Sequence, residues 1–168
     1  MTLRVPFMAL TPGPDDAVVR AGITRVIERG WFIRLALEGR EIEIYGDGSQ
    51  MRDFVYVDDV SDAFLRAGAS DVTNGEAFNV GGTEPIAHRD LVKILIQEAG
   101  RGSSRFVPWP DEKRRIDIGS FYSDSTKFMR ATGWTPTVDL RDGFAKTLAY
   151  YRDHFDRYIS PPEGAGAS

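Results

Sequence analysis

Arginines beside turns are the residues of this chain best suited to chemistry. Arg52 stands between the turn Gly46-Asp47-Gly48-Ser49-Gln50 and an apolar run, and Arg114 and Arg115 closely precede Asp117. A guanidinium stays charged throughout the physiological range and grips phosphate oxygens through two parallel hydrogen bonds. A glycine turn lets backbone approach a ligand with no Cβ in the way. Together these are phosphate-binding chemistry, although solvation is the commoner role of a surface arginine.

Other constellations are weaker. Gly46-Asp47-Gly48 and Gly100-Arg101-Gly102 each start a G-x-G-x-x-G dinucleotide fingerprint, but Met51 and Arg105 occupy the last glycine positions, and neither run sits in a long βαβ unit. Tyr122 and Lys127 miss the Tyr-x-x-x-Lys spacing by one residue, which turns the pair about 100° apart on a helix. Asp58, Asp59 and Asp62 read as a helix cap with a solvated face rather than a metal site, with Asp58 or Asp59 as the cap. The chain has no cysteine and only two histidines, so thiol chemistry, disulfides and Cys-zinc sites are excluded. His88 falls at a helix start and His154 in the last turn of a helix, where positive charge is mildly favourable.

These residues need elements to hold them. Ile23, Val26, Ile27 and Leu37 recur at helical spacing from about Arg20 to Glu38, and Gly39 stops the helix. Glu41 to Tyr45 alternates polar and apolar residues as a half-buried strand does. Phe54-Val55-Tyr56-Val57 reads as a second strand, followed by a helix through Val60, Ala63, Phe64 and Ala67. Ala77 to Val80 is a short strand ended by Gly81-Gly82. Arg89 to Ala99 is helical and stopped by Gly100. Arg105-Phe106-Val107 is a strand, and Asp111 to Arg115 reads as a basic loop. Asp124 caps a short helix ending at Gly133. Asp139 caps the last helix, with Asp142 three residues on in capping-box style. The expected fold class is α/β, a small mixed layer without a complete doubly wound sheet.

Length and composition set the frame. The chain has 168 residues, 42% apolar and 27% charged, with a net charge of -4, as in an ordinary globular protein. The mild acidity argues against nucleic acid as a partner. No apolar run reaches the ~18 residues of a membrane span, and the first residues lack the pattern of a secretory signal. A cytoplasmic location is the expectation.

The ordered motifs sharpen the function. The run from Ile44 through Tyr45-Gly46-Asp47-Gly48, Arg52-Asp53-Phe54-Val55-Tyr56-Val57 and Asp58-Asp59-Val60 resembles the signature of NAD-dependent nucleotide-sugar epimerases and dehydratases, within the extended short-chain dehydrogenase/reductase group. Phe78-Asn79-Val80-Gly81-Gly82, Arg114 to Asp117, Tyr122 to Lys127, and Gly133-Trp134-Thr135-Pro136 follow in the family's order. The resemblance implies the C-terminal, substrate-binding half of such an enzyme. It implies that Arg52 contacts the diphosphate or ribose of a UDP- or dTDP-sugar, that Arg114 is the second diphosphate arginine, that Asp117 accepts from a ribose hydroxyl, and that Tyr45 and Gly46 border the base. Arg115 is the less suited of the adjacent arginines.

The same resemblance assigns the glycine-rich NAD loop and the catalytic Tyr-x-x-x-Lys to an N-terminal half. No catalytic, cofactor-binding or metal-binding residue is therefore expected in this chain, and NAD belongs to the complete enzyme. The expected organisation is a divergent segment with the start of the first helix at 1–30, a nucleotide-sugar-binding domain at 31–156 and a disordered tail at 157–168. In the first segment, Val5 to Pro14 departs from the family's Asn-x-Tyr-Gly-Pro stretch. Such a truncated relative would be inactive alone. The alternatives are one chain of a split enzyme, with a partner carrying the NAD-binding half, and a non-catalytic binding or oligomerisation module. An uncovered apolar face near the first helix would favour self-association.

Overall fold

The computed structural model describes residues 2–4 and 31–155, apart from residue 83. The expected start of the first helix, most of the divergent N-terminal segment and the tail lie outside the described residues.

The first described helix, α1, covers residues 31–38 and ends at Gly39, whose φ of +70° reverses the chain. Strand β2, Glu41–Tyr45, then buries Ile42 and Ile44 and exposes Glu41 and Glu43, as its alternation dictates. It pairs in parallel with β6, Ser103–Val107, in a register running from Glu41↔Ser103 to Tyr45↔Val107. Strand β1, Thr2–Arg4, pairs in parallel with β4, Ala77–Asn79. Strands β3, Met51–Arg52, and β5, Ile86–Ala87, form a short antiparallel ladder. Three two-stranded sheets among helices α2 (Val57–Gly68), α3 (His88–Ala99), α4 (Asp111–Ile116), α5 (Thr126–Thr132) and α6 (Leu140–Asp153) make the mixed α/β architecture that the sequence indicates.

Two apolar cores hold these pieces. One joins α1 (Ile33, Leu35, Ala36, Leu37), β2 (Ile42, Ile44), α3 (Val92, Leu95, Ala99) and Leu148 of α6. The other joins Val55, Val60, Ala63 and Ala67 to Phe78, Val80, Phe128 and Trp134. Trp134 and Phe128 are fully buried, with ring centroids 5.6 Å apart. The indole N–H of Trp134 donates to the Asp59 carbonyl at 3.0 Å, so this large side chain is buried with its donor satisfied.

Several local expectations are corrected. The strand expected at Phe54–Val57 is confined to Met51–Arg52, and Val57 already opens α2. The chain at 53–56 keeps the burial alternation of a strand, with Asp53 and Val55 inside, but it forms no ladder. Neither Asp58 nor Asp59 caps α2. Tyr56 occupies the cap position without a side-chain bond. Asp59 instead is buried within the first turn and accepts from Thr137 and Val138. Residues expected as the basic loop Asp111–Arg115 form helix α4. Ser125 stands at the cap of α5, while the Asp124 carboxylate takes the Thr126 N–H one residue further in. The Asp139 cap is as read, its carboxylate accepting from the Asp142 N–H at 2.9 Å. His88 is the first residue of α3, and its N–H donates to the Gln50 carbonyl. His154 follows α6, with its ring stacked on Tyr150.

Candidate functional site

The site expected from the sequence gathers around α4. Pro110 precedes this helix, Asp111 and Glu112 occupy its first turn, and Lys113, Arg114 and Arg115 its end. Acidic residues early and basic residues late complement the helix dipole, which stabilises a helix too short for an apolar stripe. Its two ends meet two different strands.

At one end, Trp109 and, from within the helix, Lys113 reach β2. The Lys113 ammonium donates to the Tyr45 hydroxyl at 2.9 Å and lies 4.6 Å from the centre of the Tyr45 ring. Trp109, just before α4, sets its indole 5.4 Å from that ring, centroid to centroid, with the planes 37° apart. Gly46 makes this possible. It has a φ of +65°, and a Cβ on it would fall 2.5 Å from the indole Nε1 of Trp109. The Gly46 N–H donates to the Val107 carbonyl at 2.8 Å, closing the end of the β2–β6 ladder.

At the other end, Asp117 follows α4 in extended conformation. One carboxylate oxygen lies 3.9 Å from the Arg52 guanidinium, and the other accepts from the Gly119 N–H at 3.1 Å. Arg52 also donates to the carbonyls of Met51 and Gly119. The 119–121 segment is fastened to β3, because the Met51 N–H donates to the Ser120 hydroxyl and the Phe121 N–H to the Met51 carbonyl, both at 3.0 Å. Arg52 is thus held in a partly buried frame of backbone carbonyls and one carboxylate, with guanidinium donors committed to neutral as well as charged acceptors. Such a frame fixes the planar fork in orientation.

Of the residues singled out from the sequence, Tyr45 and Gly46 share one corner, and Arg52 and Asp117 the other. Arg114 lies on α4 between them, exposed to solvent, and forms no ion pair among the described residues. Arg115 is likewise exposed.

Sequence reasoning missed Trp109 and Lys113. The signal that could have found them is the Pro110-Asp111-Glu112-Lys113-Arg114-Arg115 order, a proline then acids then bases, which is a helix signature. Two buried acceptors beside β3 were also unforeseen. Gln50 Oε1 and Asp53 Oδ2 are both buried without a hydrogen-bond partner among the described residues. The Asp53 carboxylate lies directly against Gly81, in space that a Cβ would need.

The glycine turn does not fit a dinucleotide. Gly46–Gly48 leads into strand β3 rather than a helix, and the space over each glycine is already filled. A Cβ on Gly48 would fall 2.7 Å from the Ile44 side chain and 2.9 Å from Arg89 Cβ. Among the described residues, this turn thus offers no phosphate cradle of the NAD type. The described residues also hold no group of three or more metal-ligating side chains. No described helix is long and apolar enough to cross a membrane.

Comparison with known proteins gives this arrangement its family. Residues 13–81 match the model of the NAD dependent epimerase/dehydratase family. A UDP-glucose 4-epimerase of Mycolicibacterium smegmatis is 37% identical over 142 residues, covering 84% of this chain and 42% of that protein. A dTDP-glucose 4,6-dehydratase of Streptomyces griseus is 35% identical over 128 residues, covering 73% of this chain and 37% of that protein. Among solved structures, a UDP-glucose 4-epimerase with UDP-glucose from Thermotoga maritima superposes with a TM-score of 0.68 at 30% identity, over 92% of this chain and 46% of that one. A UDP-glucuronic acid 4-epimerase from Bacillus cereus in complex with NAD gives 0.67 at 25% identity, over 92% and 45%. The chain spans about two fifths of the length of the curated relatives it matches. In sequence and in fold, it belongs to the NAD-dependent epimerase/dehydratase family.

Proposed function

We propose that this chain is the nucleotide-sugar-binding portion of an NAD-dependent epimerase or dehydratase. The observation that carries this reading is the meeting of Arg52 with Asp117 at 3.9 Å, in a frame built from β3 and the segment after α4. Arg52 takes one phosphate of the diphosphate, Arg114 turns from solvent to take the other, and Asp117 accepts from a ribose hydroxyl. The base lies toward Tyr45 and Gly46. Two guanidinium groups neutralise a diphosphate and fix its orientation. Relatives named for UDP- and dTDP-sugars support this class of ligand. In this reading the chain does not bind NAD by itself and turns over no substrate alone.

Calorimetric titration with UDP and dTDP tests the reading. Arg52→Ala is expected to weaken binding at least tenfold, as loss of a charge-assisted contact of ~1.5–3 kcal/mol would, and Arg114→Ala by a smaller factor. Unchanged affinity in both variants would refute the site. So would turnover of a nucleotide-sugar by the purified chain refute its inactivity.

In a second reading, another polypeptide supplies the NAD-binding portion. Co-purification of such a chain, with NAD-dependent turnover appearing only in the mixture, is the result that distinguishes it.

A further inference from the structure

We infer that Trp109 is a ligand-binding residue, the aromatic surface on which the nucleobase stacks. This inference rests on the diphosphate reading of Arg52 and Asp117. Trp109 is only half-buried, yet it is held by Gly46 and Tyr45. Gly46 leaves room for the indole where any side chain would collide with it. Tyr45 packs tilted against it at 5.4 Å. Tyr45 is in turn held by the Lys113 ammonium, over its ring and on its hydroxyl. A half-exposed indole fixed this firmly is a preorganised platform, because little conformational freedom remains to be lost on binding.

Its position suits a base. Trp109 sits at the start of the short helix whose other end places Asp117 beside Arg52. A nucleoside diphosphate is a flat π-surface joined through a ribose to a dianionic chain, and it would span these two corners. Tyr45 is less suited to be the platform, since Trp109 and Lys113 already pack against its ring. Its role is to buttress the indole.

The test compares two ligands and three variants. UDP presents a base and phosphates; inorganic pyrophosphate presents phosphates alone. Trp109→Leu keeps apolar volume and removes the π-face, and Trp109→Phe keeps a π-face. With base–aromatic stacking at its usual strength, Trp109→Leu weakens UDP about tenfold or more, Trp109→Phe weakens it only slightly, and neither changes pyrophosphate affinity. Arg52→Ala weakens both ligands. If Trp109→Leu binds UDP as the wild type does, or loses UDP and pyrophosphate in equal measure, the assignment of Trp109 is overturned while the Arg52 site stands. If the wild type binds neither ligand, the diphosphate reading itself fails, and the inference with it.

Discussion

The carboxylate of Asp59 accepts a hydrogen bond from the Thr137 hydroxyl at 2.8 Å, tying the first turn of α2 to the chain just after Trp134. The same carboxylate takes the backbone N–H groups of Thr137 and Val138 at 2.9 and 3.0 Å. It is a buried carboxylate satisfied by three donors, which is how such a polar group becomes tolerable in an apolar surrounding. Replacing Asp59 by Ala leaves those donors unpaired and is expected to cost about 2–3 kcal/mol. Asp59→Asn keeps an acceptor and costs less. Urea denaturation of the two variants measures the difference, and an Asp59→Ala protein as stable as the wild type would contradict this account.

Two glycine replacements are expected to act in opposite directions. Gly68 lies at the end of α2 with open space where a Cβ would go, so Gly68→Ala stabilises by roughly 0.5–1 kcal/mol through the unfolded chain and helix propensity. Gly82 has its backbone directly against the Phe54 carbonyl. A side chain there must push two backbone segments apart, and Gly82→Ala destabilises by about 1–3 kcal/mol or more. Thermal melts of the pair read the sign directly.

Acid is expected to weaken the fold. Hydrogen bonds hold four carboxylates below their ordinary range: Glu38 through Arg34, Asp47 through Ser49, Glu76 through Lys127 and Asp124 through Thr126. Each is ionised more readily folded than unfolded. Their contribution is therefore present above the ordinary carboxylate pKa of ~4 and is lost as pH falls through and below it. The midpoint of thermal unfolding should be level near neutrality and fall in acid. Glu38→Gln should shrink that fall, and an acid-insensitive midpoint would contradict the prediction.

How much of this was legible in the sequence depends on how local each cause is. The alternation of Glu41 to Tyr45 and the Asp139 cap of α6 depend on near neighbours, and both form as read. The expected cap at Asp58 or Asp59 does not form, and the true role of Asp59 was not legible locally, because its donors stand on Thr137 and Val138. Helix α4 escaped notice because its six residues hold no apolar periodicity, only an order of charges. Arg52 and Asp117 were each nameable as site residues from the family's motifs. Their meeting, and the placing of Trp109 over Gly46, depend on tertiary packing.

The parallel pairing of β2 with β6 also sets the order in which the molecule can assemble. Unlike a hairpin, this ladder cannot zip from a turn, since β3, α2, β4, β5 and α3 all intervene between its strands. Its contacts form only after a long loop closes, which makes them late and slow. Helix α3 needs only its own residues and can form first. Trp109 follows β6, so the corner it makes with Tyr45 comes into being only when that ladder closes. The Trp109 part of the indole fluorescence, taken as the difference from a Trp109→Phe chain, should therefore lag in refolding behind the gain of helical circular dichroism, and removing Ile44 bulk should slow that phase while sparing the helical one.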